Sequence, residues 1–499
     1  MTALREKEYL KQRYAAMLSS VGMVFVLSGA VLLTPLLLLI AFPEETVHAP
    51  AFIFPSGCLG LAGFLLRKLF RHNVNVTLSV GEGGVIVLVS WVVAIIFSAL
   101  PFMSVLKLSF SQAVFESVSG WTTTGLTVVD IPHAGPMILL WRSILTLAGG
   151  AGLAIIMMSA IMGPAGMGIS SAEGRGDQLV PHVRQSARLV LIIYTGYAVV
   201  GALAYWMAGM SAFDAVNHSF AAVSTGGFST HDESIAYWDS LGIEGVSIPL
   251  MLAGNLSFVT AWSLLRGKFR LVMRNNEVRV MTVLIPMSAA FVLFFTCLSI
   301  YPRLAKAVRV AVFETISALT TTGFQTVKYG NWNDFGILIL IMLMLIGGGT
   351  CSTAGGIKQF RLYLLWKLMV WEIMRSFLPR TAVVERPIWE SNGRIFVDNT
   401  RVRLVCVFVF LYAAIYLAGV LVLCVCGFSL KNSLFEFASA IGNAGLSVGV
   451  TSPQMPVAAM WAMTLAMFLG RLEFFVVIIS LIKLGRDGRL AITRTPNGN

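Results

Sequence analysis

Apolar runs long enough to cross a bilayer recur along this chain, and short amphipathic runs stand between them. A membrane-crossing helix needs about 20 predominantly apolar residues. Ala16–Phe42, Pro50–Leu66, Gly84–Met103, Pro136–Met162, Leu189–Met210, Val246–Leu265, Val280–Tyr301, Leu404–Gly427 and Val457–Leu484 meet that length, and Phe335–Val370 exceeds it. The segments Phe110–Trp121, Phe213–Val223, Ala307–Leu319 and Leu434–Ile441 are helical in pattern but too short to cross. From residue 80 onward the order span, short helix, span occurs four times. The pattern predicts an all-α polytopic membrane protein: four pseudo-symmetric repeats around one pore, preceded by two N-terminal spans. The predicted units are a prefix at 1–79, repeats at 80–188, 189–275 and 276–373, a linker at 374–403, and a fourth repeat with a short tail at 404–499.

Each short helix runs into a similar string. Thr122-Thr123-Thr124-Gly125-Leu126, Ser224-Thr225-Gly226-Gly227-Phe228, Thr320-Thr321-Thr322-Gly323-Phe324 and Gly442-Asn443-Ala444-Gly445-Leu446 align on the glycine, always followed by Leu or Phe. The copies lie about 100 residues apart, as expected of an internally repeated four-fold object. Nine residues before the glycine stand Glu116, Glu314 and Glu436, with His218 in the second copy.

Composition supports the membrane reading. Of 499 residues, 57% are hydrophobic and 12% charged, about half the charge of a soluble chain. The net charge of +12 belongs to cytoplasmic loops under the positive-inside rule rather than to nucleic-acid binding. With the N-terminus inside and the first span uncleaved, the inner loops carry Arg67-Lys68-Arg71, Arg184, Arg188, the 266–279 and 375–403 basic runs, and Lys483-Arg486-Arg489. The outer loops carry Glu44-Glu45, Asp130, Asp232-Glu233, Asp239 and Glu244; Arg303, Lys306 and Arg309 are the exception. Both termini are then cytoplasmic. The six cysteines show no CxxC spacing and read as small apolar side chains.

Non-helical backbone at membrane depth is tolerated only where protein or water surrounds it. Four re-entrant loops facing one aqueous axis satisfy this, and their carbonyls can replace a cation's hydration shell. The candidate ion-binding residues are Thr123, Thr124, Gly125, Thr225, Gly226, Gly227, Thr321, Thr322, Gly323, Asn443, Ala444 and Gly445. The glycines supply backbone angles that a Cβ penalises. Each short helix aims its partly negative C-terminus at the axis, which favours a cation there. Glu116, Glu314 and Glu436 are expected near the opposite helix ends, in a structural role.

The long apolar stretch of repeat three is interrupted by Gly347-Gly348-Gly349-Thr350-Cys351-Ser352-Thr353-Ala354-Gly355-Gly356. Glycine costs a helix about 1 kcal/mol per residue against alanine, so an unwound intramembrane loop is expected. Gly347, Gly348, Gly349, Thr350, Ser352, Gly355 and Gly356 are its candidate gating residues. Arg471, in the middle of the last span, is the other. An intramembrane charge faces a cavity or a partner, and counting from the filter glycines puts Arg471 at the depth of the loop.

The span–short helix–TxxG–span unit, four times over, resembles the Trk/Ktr/HKT superfamily of potassium-transporting membrane subunits, and the two-span prefix resembles its Trk branch. The resemblance covers about residues 80–485. It implies a K+-selective pore with filter glycines at Gly125, Gly227, Gly323 and Gly445, and an obstructing loop below them. In plant relatives a serine at the first filter position accompanies Na+ transport; Gly125 favours K+. The fourth copy departs most, with Asn443-Ala444 for two threonines. The resemblance also implies a homodimer in a bacterial cytoplasmic (inner) membrane, and regulation by a separate cytoplasmic NAD/ATP-binding ring. This chain has no GxGxxG after a strand and no P-loop, so no cofactor is expected in it beyond K+ as the transported ion. Passive flow and H+- or Na+-coupled symport both stay open.

Two other readings compete. A secondary transporter of a small solute also uses broken helices, but shows two related halves rather than four re-entrant copies; a Na+-permeable relative is the nearer variant. An intramembrane enzyme needs a Ser/His pair or ligand cluster, whereas His48, His72, His133, His182, His218 and His231 are scattered.

Overall fold

The computed structural model describes residues 2–70, 79–151, 183–379, 387–390 and 393–493. The end of the first repeat's second span beyond Ala151, Arg71, His72, His182, Arg380 and Arg386 lie outside the described residues, as does the side chain of Arg184.

The prefix is a helical hairpin. Thr2–Leu33 packs along Pro50–Leu69, and the two backbones approach at glycines: a Cβ on Gly22 would lie 2.8 Å from the Gly63 carbonyl. Lipid gives helices no hydrophobic reason to associate, so small residues that allow close contact carry the packing. Ser56 adds an interhelical hydrogen bond to the Gly29 carbonyl at 2.7 Å.

The first spans of the four repeats are Val80–Val105, Val183–Met207, Asn276–Ile300 and Asn399–Val425. The short helices are Phe110–Trp121, Ala212–Val223, Leu304–Leu319 and Leu430–Gly442. Three of them begin at a serine that caps its own helix: Ser109 accepts from Gln112 N, Ser211 from Asp214 N and Ser429 from Asn432 N. That satisfies donors which would otherwise be orphaned where the chain re-enters the protein. Phe115, Phe313 and Phe435 are fully buried in the body of the bundle.

The second spans differ from the predicted ones. Val246–Leu265 and Val457–Leu484 each read as one span, and both break. Leu241–Asn255 and Phe258–Leu265 meet at 117°, and Val457–Leu472 meets the last helix at 98°. At the first break Leu256 is extended and Ser257 caps the new helix through Thr260 N. At the second, Glu473 adopts φ +60°, stabilised by its ion pair with Arg361 at 2.8 Å. Repeat three breaks as expected: Asp334–Ile346 ends at Gly347 (φ +69°), and Gln359–Arg375 begins after the glycine-rich loop. Among the described residues six helices are long and apolar enough to cross a membrane, and the two bent pairs raise that to eight.

The linker contains an antiparallel hairpin that the sequence pattern did not reveal, with Pro387–Glu390 paired to Gly393–Phe396. Its Ile388 is buried with Phe360, Leu364, Val397 and Val405.

Candidate functional site

At the end of every short helix the chain makes the same turn. Thr123, Thr225, Thr321 and Asn443 all adopt left-handed backbone angles, φ between +51° and +56°. Their N–H groups bond to Gly120, Ala222, Ala318 and Ala440 carbonyls, and the next N–H reaches back to Ser119, Ala221, Ser317 and Ser439. This pair of bonds closes the helix in the Schellman manner. For a β-branched threonine the conformation is strained, and strain of this kind persists where surrounding structure enforces it, commonly at functional sites. Asn tolerates it best, which explains why Asn443 can stand where the other copies have threonine.

Two residues on, Gly125, Gly227, Gly323 and Gly445 have φ of +89°, +63°, +84° and +84°. Their neighbours show how the four copies are arranged. A Cβ on Gly125 would fall within 3 Å of the Gly226 carbonyl oxygen, on Gly227 of Thr322, on Gly323 of Ala444, and on Gly445 of Thr124. Repeat one touches two, two touches three, three touches four, and four returns to one. The twelve sequence-predicted residues therefore meet in one closed ring, which leaves no space for a side chain at any of the four glycines.

The segments rising from the ring are braced by the buried carboxylates. Glu116 accepts from Val128 N (3.0 Å) and Thr127 Oγ1. Glu314 accepts from Thr326 N (2.8 Å), Thr326 Oγ1 and the Tyr329 hydroxyl. Glu436 accepts from Val448 N and Thr451 N, both at 3.0 Å, and from Ser447 Oγ. The expectation that these carboxylates lie near the far helix ends is corrected: they sit within the helices and, in a structural role, hold the outgoing backbone. The second repeat has no glutamate at that place, and its Asp214, in the first turn of the short helix, takes the Thr230 hydroxyl at 2.6 Å. His218 contacts Ser229 Oγ at 2.9 Å, and Ser229 Oγ also accepts from His231 N.

Beneath the ring lies the glycine-rich loop. Gly355 N donates to Thr321 Oγ1 at 2.8 Å, and Thr225 Oγ1 meets Thr353 Oγ1 at 3.1 Å. Gly348 N bonds to the Gly355 carbonyl, and Gly349 N and Thr353 N bond to Asn255 and Gly254 carbonyls in the broken span of repeat two. Thr350 donates through both its N and Oγ1 to Glu277 at 2.7 Å, and Ser352 Oγ donates to the Gly349 carbonyl. Gly356, at φ +80°, packs against Gly347. Arg471 donates to the Thr353 carbonyl at 2.6 Å and to the Gly149 carbonyl at 2.8 Å. The loop, Lys358, Arg361, Arg471 and Glu473 line a polar cavity on the side away from the ring's mouth.

Above the ring a wider funnel is lined by Thr127, Arg142, His231, Asp232, Gln325, Ser447 and Thr451. Arg142 escaped the sequence reading. It pairs with Glu116 at 2.7 Å and both side chains are fully enclosed. Its signal is that of Arg471, a lone arginine inside an apolar span. The residues that break the basic-loop pattern are paired: Arg309 and Lys306 with Asp239, and Arg309 with Glu244 at 3.0 Å.

Residues 61–490 match the family model described as TrkH, cation transport protein. The Trk system potassium uptake protein TrkH of Halomonas elongata is 30% identical over 480 residues, 92% of this chain and 96% of that protein. The protein of the same name in Escherichia coli K12 is 32% identical over 417 residues, 80% and 84% of the two chains. The crystal structure of the potassium transporter TrkH from Vibrio parahaemolyticus superposes with a TM-score of 0.81 at 28% identity, over 94% of this chain and 98% of that one. The family match spans the ring, the loop and Arg471 alike, and the chain belongs to the TrkH family of cation transport proteins, multi-pass membrane transporters rather than enzymes.

Proposed function

We propose that this chain carries K+ inward across a bacterial cytoplasmic membrane through the four-loop ring, with the glycine-rich loop as its gate. The observation that carries the reading is the closed cycle of glycine-to-carbonyl contacts from Gly125 through Gly227, Gly323 and Gly445. Its backbone turns spend N–H groups on the helix ends, and the ring carbonyls of Thr124, Thr322 and Ala444 can replace water around a dehydrated cation. The two TrkH relatives named for potassium uptake supply the choice of K+ over other cations.

In this mechanism an ion sheds water in the outer funnel, crosses the ring, and meets the loop. Loop bonds to Thr321, Thr225 and Glu277, and the Arg471 bridge, hold it across the path. A cytoplasmic NAD/ATP-binding ring acts on the inner half-helices, which the breaks at 256–257, 347–358 and 473 free to pivot. The basic inner loops put both termini in the cytoplasm, and the transporter works as a homodimer.

The test is radioactive Rb+ and Na+ uptake into proteoliposomes with serine placed singly at Gly125, Gly227, Gly323 and Gly445. Each variant is expected to lose K+-over-Na+ preference. Unchanged selectivity at all four positions refutes the filter assignment.

A further inference from the structure

We propose that Arg142 is a positioning residue for cation selectivity: it fixes the second quarter of the ring from the first repeat, in place of the glutamate that the second repeat lacks. The proposal rests on the filter reading above.

In repeats one, three and four, a pore-helix glutamate takes the backbone N–H three residues beyond the filter glycine: Val128, Thr326 and Val448. Repeat two has His218 at that place. His218 contacts the Asp214 carbonyl of its own helix and the Ser229 side chain, and Asp214 takes the Thr230 hydroxyl, so the Ser229 carbonyl is left to be held from elsewhere. Arg142 does this. Its Nη1 donates to the Ser229 carbonyl at 3.1 Å. Its guanidinium lies over the Phe228 ring, 4.1 Å from the centroid. Phe228 is the residue directly after Gly227, so both contacts act on the chain as it leaves the ring.

The arginine is itself fixed. Its Nε donates to Glu116 at 2.7 Å, the carboxylate that already holds the first exit. One buried group thus locks exits one and two in register. At the ring exits the other junctions use neutral groups, Ala236 N donating to the Gln325 carbonyl between repeats two and three and Gln325 Nε2 reaching the Ser447 carbonyl between three and four, while their ion pairs, Arg309 with Asp239 and Lys431 with Asp334, do not involve the exit residues. Only a planar, forked cation can pair with a carboxylate, donate to a carbonyl and lie flat on a ring at once; lysine cannot.

The experiment compares K+/Na+ flux ratios and thermal unfolding for Arg142→Lys, Glu116→Gln/Arg142→Met and Gly227→Ser. The double variant removes both charges, so no buried carboxylate is left unpaired. Arg142→Lys is expected to keep near-wild-type thermal stability while the flux ratio falls about tenfold, the size set by losing one charge-assisted hydrogen bond. The double variant is expected to fold and show the same fall. A wild-type ratio in both variants, with selectivity lost in Gly227→Ser, overturns the role of Arg142 alone. A wild-type ratio in Gly227→Ser as well overturns the filter reading on which it stands. A lysine variant that recovers both stability and ratio reduces Arg142 to an ordinary ion pair and also overturns the proposal.

Discussion

If the glycine-rich loop is the gate proposed above, replacing Arg471 with alanine removes two hydrogen bonds that tie it shut, one to the Thr353 carbonyl and one to the Gly149 carbonyl. Hydrogen bonds from a charged donor contribute about 1.5–3 kcal/mol each. The lower figure applies here because Arg471 borders a polar cavity. Together the two bonds favour the closed loop by about 3 kcal/mol, or about 150-fold in the closed-to-open ratio. The assay is resting Rb+ efflux from proteoliposomes containing this chain alone. Efflux is expected to rise steeply in Arg471→Ala. The arginine's charge also repels cations, so Arg471→Lys separates the two effects. It keeps the charge but spans fewer carbonyls, and its leak should fall between wild type and alanine. A lysine leak equal to wild type, with a high alanine leak, assigns the effect to charge and refutes the tether. Wild-type flux and leak in both variants refute the gating role altogether.

Other outcomes follow from the same geometry. Glu314→Ala leaves the Thr326 N–H and the Tyr329 hydroxyl without their acceptor, which costs about 1–3 kcal/mol for each buried group; thermal unfolding in detergent should show a large loss, with Glu314→Gln milder because one acceptor oxygen remains. Asn443 donates from Nδ2 to Thr124 Oγ1 (2.9 Å) and the Met467 carbonyl (2.8 Å). Asn443→Gly should keep the turn yet lose K+ preference, while a selective glycine variant would show that the side chain is dispensable. Glu45, in the turn Pro43–His48, is buried, and desolvation pushes its carboxyl above the usual range, His48 opposing the shift and Glu44 adding to it. A raised folded-state value means that stability is full below the unfolded-state value and lost as pH rises through the folded one. Glu45→Gln should therefore unfold at a higher temperature than wild type at neutral pH, with the gap closing on acidification; a gap independent of pH would exclude this titration.

Much of this was legible because membrane proteins write their constraints locally. Gly125, Gly227, Gly323 and Gly445 stood out since a positive φ and a close carbonyl leave no alternative residue. The glycine run at 347–356 announced its own break. The breaks at Leu256-Ser257 and Glu473 were hidden, because no glycine or proline stands at the break itself: one depends on a serine cap, the other on an ion pair to Arg361, more than a hundred residues away. The brace role of Glu116, Glu314 and Glu436 was hidden for the same reason, their partners being set by how the chain climbs out of the ring.

The sequence by itself determined the all-helical membrane class, the four short helices and which residues enter the ring, since apolar length and backbone permissiveness act within a few neighbouring residues. The tertiary structure decided the cyclic order of contacts, the docking of the loop onto Thr321 and Arg471, and the placement of Arg142. Each of these is a bond between distant segments, favourable only because burial removes water as a competing partner.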